Sequence, residues 1–214
     1  MRGRVFILFA LGMAWASSLT AAVTPTAGIQ EAPAYVAPNA PIHVVGPEEV
    51  DVYAAFLAQA WARVTDHAPL SREAMVLEND SLDQWQPARR AWEQYLLKRV
   101  SGQGRAAEDA HQAFLSRPVQ VIRFYRFPAT ELPVHLVRSD ILNKALAGGW
   151  DAYYDAFPKT QGILSLSAIG FGAQNQEAVF SVYLRCGLRC GYRDLILMRK
   201  VNGKWTLIMK DSLP

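Results

Sequence analysis

Cysteine and histidine are scarce in this sequence, and their scarcity excludes several kinds of site. The chain of 214 residues has 2 cysteines and 4 histidines. The histidines are scattered singly, at His43, His67, His111 and His135. A structural zinc site needs four ligands, and no spacing in the sequence gathers that many. We therefore predict no bound metal and no cofactor for this chain.

The sequence also lacks the short motifs that accompany the commoner catalytic chemistries. It has no glycine-rich phosphate loop, no dinucleotide fingerprint, no metalloprotease helix and no calcium-binding loop. Ser165 and Ser167 do not occupy the glycine-flanked turn of a nucleophile elbow. No catalytic residue is therefore assigned. A non-catalytic role is favoured, and an enzymatic role is kept as the alternative.

Charge of one sign is not in excess once the N-terminus is set aside. The whole chain has a formal net charge of +3. Arg2 and Arg4 supply two of those three charges, and both lie in a segment that we expect to be removed on export. A nearly neutral domain lacks the positive surface by which proteins bind nucleic-acid phosphates. We therefore predict no nucleic-acid partner, and a membrane contact only through the N-terminal segment if that segment is not cleaved; the sequence names no other partner.

The first 22 residues have the organisation of a cleavable secretory signal. Arg2 and Arg4 precede an uncharged apolar run, and the small residues Thr20-Ala21-Ala22 follow it. This order predicts cleavage after Ala22, with Ala16 as the alternative site. A second interpretation keeps the segment as a membrane anchor, because an uncharged run of this length can just span a bilayer. Cleavage is preferred, and it places the mature protein in the periplasm or outside the cell.

The patterning of the chain predicts three segments: a signal peptide over 1–22, an Ala/Pro-rich linker over 23–47 and a single domain over 48–214. Helical periodicity dominates the first part of that domain, and strand-like patterns dominate the last part. We therefore predict an α+β fold in which N-terminal helices pack on a C-terminal antiparallel β-meander. One version of this prediction has a curved, cone-like sheet. Helices are expected from Pro47, Pro87, Arg105, Ser139 and Trp150.

Four strands are expected in the meander, at 162–171, 177–186, 192–201 and 204–210. Asn202-Gly203 joins the last two and predicts a tight hairpin, since both central positions of a type I′ turn need positive φ. This turn sets a register that places Trp205 beside Lys200 and puts Met209 on the same face. Neither face of the hairpin is clearly polar. We expect helices on one side of the sheet and partial burial on the other.

The two cysteines, Cys186 and Cys190, are close together in the preceding hairpin. In an oxidising compartment such a pair favours a disulfide over a zinc half-site. The cysteines flank a three-residue loop, and opposed positions on antiparallel strands lie within reach of a disulfide. The alternative is a reactive dithiol, which an exposed bridge can become.

Five residues, in two separate parts of the chain, are the candidate binding residues. Arg185, Arg189 and Arg193 surround the cysteines, and a cationic loop tip can contact an anion or an acidic partner. The same charges can instead form a solvated hairpin end that protects the sheet edge. Trp150 and Tyr154 share a helical face with further aromatics, which lines a ligand pocket or forms part of the core.

A set of spaced residues extends from the aromatic helix to the last hairpin. It comprises Trp150, Tyr154, Pro158, Gly162, Leu166-Ser167, Gly170-Phe171, Ala178, Gly191-Tyr192 and Gly203-Lys204-Trp205. In these residues the chain resembles a family of exported bacterial proteins of unknown function. The family's Trp-x-Ser-like tail is replaced here by a different ending, 211–214. The resemblance implies export and assigns no activity, so no functional residue is carried over from it.

Taken together, these features favour an exported, non-catalytic domain that binds a ligand or partner, or supports a process in the cell envelope. The alternative is a small enzyme with a pocket between the helices and a curved sheet, which rests on analogy between folds.

We predict that the exported protein begins at Val23, because the residues before it form a signal and the small residue Ala22 suits the peptidase. N-terminal sequencing of the exported protein checks this. Recovery of a membrane-embedded chain that still begins at Met1 would show that the segment is an anchor.

Overall fold

The computed structural model of this protein describes residues 41–65, 74–78, 80–82, 98–118, 120–124 and 134–213. Three expectations lie outside those ranges. They are the signal segment, most of the linker and most of the helix that was expected to begin at Pro87.

The described residues form a chain of alternating helices and strands, followed by a run of long strands. The helices are α1 (Pro47–Thr65), α2 (Arg105–Ser116), α3 (Ser139–Leu146) and α4 (Gly149–Ala156). The short strands are β1 (Ile42–Val44), β2 (Ala74–Glu78), β3 (Asp80–Leu82), β4 (Val121–Arg123) and β5 (Val134–Val137). The C-terminal strands are β6 (Thr160–Leu166), β7 (Gly170–Phe171), β8 (Glu177–Gly187), β9 (Cys190–Val201) and β10 (Lys204–Leu213).

These strands form two sheets. The larger has the order β10-β9-β8-β6-β2-β5, with β7 also paired to β8. Its C-terminal strands, β6 to β10, pair antiparallel, whereas β2 lies parallel to both β6 and β5. The smaller sheet has the order β1-β4-β3. The predicted α+β class and the C-terminal antiparallel meander are confirmed.

Strand β1 falls within the segment that the sequence predicted to be an extended Ala/Pro-rich linker. Ile42–Val44 pairs in parallel with Val121–Arg123 of β4. His43, in the middle of β1, places Nε2 2.8 Å from a carboxylate oxygen of Glu49 in the first turn of α1. That carboxylate also accepts a hydrogen bond from the backbone N–H of Gly46 at 2.9 Å, which satisfies one of the unpaired donors at the helix start. The last residues of this segment are therefore joined to the fold.

Both faces of the meander are covered by helices, so the expectation of helices on one side only is wrong. On one face, Phe180, Ile196 and Met198 pack in a single core cluster with residues of α1. On the other face, Val179, Leu195 and Leu197 pack with α2. Further along that second face, Ile163 packs with α3 and α4. The reason lies in β9, where Leu195 to Met198 form an apolar run that alternates between the two faces.

The last hairpin forms as predicted close to its turn. Asn202 and Gly203 have φ of 51° and 76°, as a type I′ turn requires. Trp205 pairs with Lys200, and the Lys200 ammonium nitrogen lies 4.9 Å from the centroid of the Trp205 ring. The register then shifts between Leu207 and Met209.

That shift is a β-bulge, and it reverses the alternation of side chains beyond it. Met209 consequently pairs with Leu197 and packs in the α2 cluster, not on the Trp205 face where it was expected.

The outer edge of β10 is met by a side chain of α1. The Gln59 amide nitrogen donates to the carbonyl oxygen of Trp205 at 2.9 Å. Its amide oxygen accepts from the backbone N–H of Leu207, also at 2.9 Å. Gln59 thus binds the edge strand through two backbone groups, in the way that a neighbouring strand would.

We predict that Gly203→Val lowers the free energy of unfolding by about 1 to 3 kcal/mol, because a β-branched residue resists the positive φ at this position. A Cβ at Gly203 would meet no atom within 4 Å, so the loss is conformational and not steric. Gly203→Asn is the matched control, since asparagine tolerates this backbone region, and its loss should be smaller. Equal denaturation midpoints for Gly203→Val and the parent would show that the turn tolerates any residue.

Candidate functional site

The cysteine hairpin joins β8 to β9, and the structure closes it with a disulfide between Cys186 and Cys190. Their Cα atoms are 4.9 Å apart, within the range that a disulfide bridges. Gly187 pairs with Cys190 and Arg185 pairs with Gly191, which leaves Cys186 as an extra residue in its strand. The turn itself is therefore the two residues Leu188 and Arg189, not the three-residue loop between opposed cysteines that the sequence suggested.

The disulfide is part of the core and does not lie exposed at the tip of the hairpin. Cys186 is 9% exposed and belongs to the cluster that α1 covers, and Cys190 packs against that cluster. Exchange with an external thiol requires approach to one of the two sulfurs. Burial of Cys186 hinders that approach on its side of the bond. The alternative of a reactive dithiol is therefore the less favoured one.

A second contact holds the base of the hairpin. The Tyr154 hydroxyl on α4 donates a hydrogen bond of 3.0 Å to the carbonyl oxygen of Cys186. Its ring centroid lies 6.0 Å from that of Trp150, and both side chains are half-buried. The structure thus brings two of the candidate binding residues to the hairpin base, where Tyr154 has a structural partner.

Tyr153, between them in the sequence, is completely buried, and its phenol is protonated at neutral pH. Its hydroxyl lies 3.2 Å from the hydroxyl of Thr160. Burial raises the pKa of Tyr153 to about 12, while the bond to Thr160 and the positive charge of Arg185 act in the opposite direction. Burial also raises the pKa of Tyr154. Both phenols stay neutral across the physiological range, so this aromatic helix provides packing and anchorage.

The three arginines of the hairpin occupy different environments. Arg185 and Arg193 lie on the sheet face opposite the disulfide, and each is half-buried. The Arg193 guanidinium carbon lies 4.9 Å from the centroid of the Tyr183 ring, which fixes that side chain along the sheet. Arg189 is in the turn and is exposed. Only Arg189 therefore presents its charge at the tip itself.

Leu188, beside Arg189, is the most exposed large apolar residue of the described chain. It is 90% exposed, whereas Ile42, Val44, Ile141 and Val201 range from 42% to 51%. The apex of the hairpin thus carries one apolar and one cationic side chain on a backbone held by the disulfide and by Tyr154. The candidate list drawn from the sequence omitted Leu188, because its exposure depends on the position of the turn.

A polar group that the sequence did not suggest lies on the disulfide face of the sheet. Asp194 is 1% exposed, and Lys210 Nζ is 3.2 Å from its Oδ2. The Ser212 hydroxyl donates to Asp194 Oδ1 at 2.8 Å. The Lys210 ammonium nitrogen is 5.2 Å from the centroid of the Tyr192 ring, and burial raises the pKa of Tyr192, with the charge of Asp194 adding to the effect.

A signal for this group was present in β9. Every second residue of this strand points to the same face, and those residues are Tyr192, Asp194, Ile196 and Met198. Asp194 therefore occupies a position on the apolar face of the strand. A carboxylate there needs a partner, because burying a lone charge is costly. The partners come from β10, at positions that only the bulged register reveals.

The described part of the chain holds no group of three histidine, cysteine, aspartate or glutamate side chains placed to bind a metal ion. None of its helices combines the length and the apolar character needed to cross a bilayer.

Comparison with protein-family models, curated proteins and solved structures finds no match for this chain. The resemblance to exported bacterial proteins therefore stays a prediction that rests on the quoted residues. Two of those residues have a packing role here. A Cβ at Gly162 would overlap the carbonyl oxygen of Arg185, and a Cβ at Gly170 would overlap the backbone of Phe114 in α2. At these two positions the pattern is explained by close backbone approach and not by chemistry.

We predict that the exported protein lacks the two thiol hydrogens of Cys186 and Cys190 when its intact mass is measured. The double Cys→Ser variant should fold with a melting temperature lower by roughly 4–8 °C, since closing so short a loop contributes about 2 kcal/mol. The double Cys→Ala variant is the matched control, because it removes the bond without placing hydroxyls in the core. Two free thiols in the exported protein would contradict the disulfide, and a variant that fails to fold would show that the hairpin is essential to the fold.

Proposed function

We propose that this chain is an exported domain that binds a component of the cell envelope through the tip of its disulfide hairpin, without catalysing a reaction. Export is supported by the organisation of the first 22 residues and by the disulfide, which is typical of oxidising compartments. The contact residues are Leu188 and Arg189.

The observation that carries this proposal is the exposure of Leu188 on a rigid turn. A leucine left in water forgoes roughly 2 kcal/mol that burial against a partner would recover. Arginine is enriched among the residues that contribute most to binding interfaces. Because the disulfide and the Tyr154 hydrogen bond already hold the turn, binding would order little additional backbone.

A second candidate function is a small enzyme, and the polar group around Asp194 favours it. Asp194, Lys210 and Ser212 converge from two strands on a largely buried position, which is typical of catalytic sites. The ion pair, however, gives each charge a partner, as buried charges require in ordinary structural settings. The binding function is preferred, since it uses an exposed feature that no structural need explains.

We predict that p-benzoylphenylalanine in place of Leu188 forms a photo-crosslinked adduct in cells that export the protein, because the apex contacts its partner directly. Val201 is the matched control, since it is 42% exposed and lies beside the turn of the other long hairpin. The adduct at position 188 should weaken when Arg189→Glu is added and should persist when Ser212→Ala is added, which removes the hydroxyl bonded to Asp194 and leaves the ion pair with Lys210 in place. Equal adducts at 188 and 201, or none at 188, would contradict binding through this tip.

A further inference from the structure

The composition of the apex identifies the kind of partner that it suits. We propose that the tip docks on the anionic phospholipid surface of a membrane, with Leu188 entering the boundary between headgroups and acyl chains and Arg189 contacting lipid phosphates. This inference rests on the proposed function, since it names the envelope component that the tip contacts.

Charge complementarity is the first support. From Arg185 to Arg193 the chain carries three arginines and no acidic residue; Arg189 is exposed at the tip, and Arg185 and Arg193 are half-buried behind it on the sheet. The adjacent Asp194 is buried and paired with Lys210, so its charge is compensated. Arginines near a bilayer are attracted by the negative potential of anionic lipids. Asp151 and Asp155, exposed on α4, oppose this attraction in part, so the expected binding is weak and sensitive to salt.

The size of the apolar contact is the second support. Leu188 is the only large apolar side chain that the described hairpin exposes strongly, and its turn has two residues. A stable protein partner needs a patch of about 800 Å² on each side, which one leucine does not provide. A bilayer does not require a patch of that size, because a single apolar side chain can insert among the lipids while a cationic side chain such as Arg189 contacts the phosphates.

The chemistry of the hairpin base is the third support. Tyr154 binds the Cys186 carbonyl through its hydroxyl, and Trp150 lies one helical turn before it. Both rings are half-buried and keep some exposed surface. Tryptophan and tyrosine are the residues that concentrate at the boundary between membrane and water, since each has an apolar ring and a polar group.

The test is co-sedimentation of the exported, mature protein with vesicles of phosphatidylcholine alone or with about one third phosphatidylglycerol, a fraction at which the charge attraction of each basic residue is felt. We expect binding to the anionic vesicles, loss of that binding at high salt, and little binding to the neutral ones. Leu188→Ser should lower the partition coefficient about tenfold or more, which is what removing one buried leucine implies. Adding Arg189→Glu to Leu188→Ser should lower the partition coefficient further.

Val201→Ser and Lys204→Glu are the matched controls, because they change an exposed apolar residue and a cation at the other hairpin. Both should bind as the parent does. Equal binding to neutral and anionic vesicles, or unchanged binding by Leu188→Ser, would overturn the inference.

Vesicle binding and crosslinking together separate this inference from the proposed function. A protein adduct of defined mass at position 188 without vesicle binding means that the tip binds a protein, so the membrane inference fails and the proposed function stands. Neither an adduct nor vesicle binding means that both fail. A phospholipid adduct together with anionic-vesicle binding supports both.

Discussion

Strand β9 is buried on both of its faces, and a helix covers each of them. Leu195, Ile196, Leu197 and Met198 are all completely buried. Because successive side chains of a strand point to opposite faces, this run requires an apolar cover above and below the sheet. Helix α1 covers one face of β9 and α2 covers the other, while the α3–α4 pair packs on Ile163 of β6. The hairpin tip lies before this buried run, at the start of β9, and its base is held by the disulfide and by the Tyr154 hydrogen bond.

Charged groups inside such a layered core need partners, and the sheet supplies them on each face. On one face Asp194 pairs with Lys210 across β9 and β10. On the other, the buried carboxylate of Glu177 lies 2.5 Å from Arg199 Nε, and the same guanidinium donates to the carbonyl oxygen of Gln103 at 2.9 Å. A buried ion pair adds little net stability, but removing one partner leaves a charge that the interior cannot solvate. These pairs therefore constrain which strand registers are tolerated.

The features that were predictable from the sequence are those with local causes. The Asn202-Gly203 turn and the pairing of Trp205 with Lys200 follow from φ preferences and from a short loop, so both were predictable. The positions of Met209 and Cys186 were not, because each depends on a bulge that no residue type in the strand announces.

The candidate site shows the same division between local and long-range causes. The disulfide and the exposed Arg189 could be anticipated from composition and spacing. The contact between Tyr154 and Cys186, and the group around Asp194, join residues that are distant in sequence, so only the fold reveals them.

The amide of Gln59 has a consequence for how copies of this chain meet one another. Strand β10 is the outermost strand of the larger sheet, and an outermost strand offers backbone groups to which a foreign strand can add. At Trp205 and Leu207 those groups are already bound by Gln59. A second molecule could extend the sheet there only after displacing that side chain. One glutamine side chain thus occupies, at this point of the edge, the backbone groups that strand addition from another molecule would use.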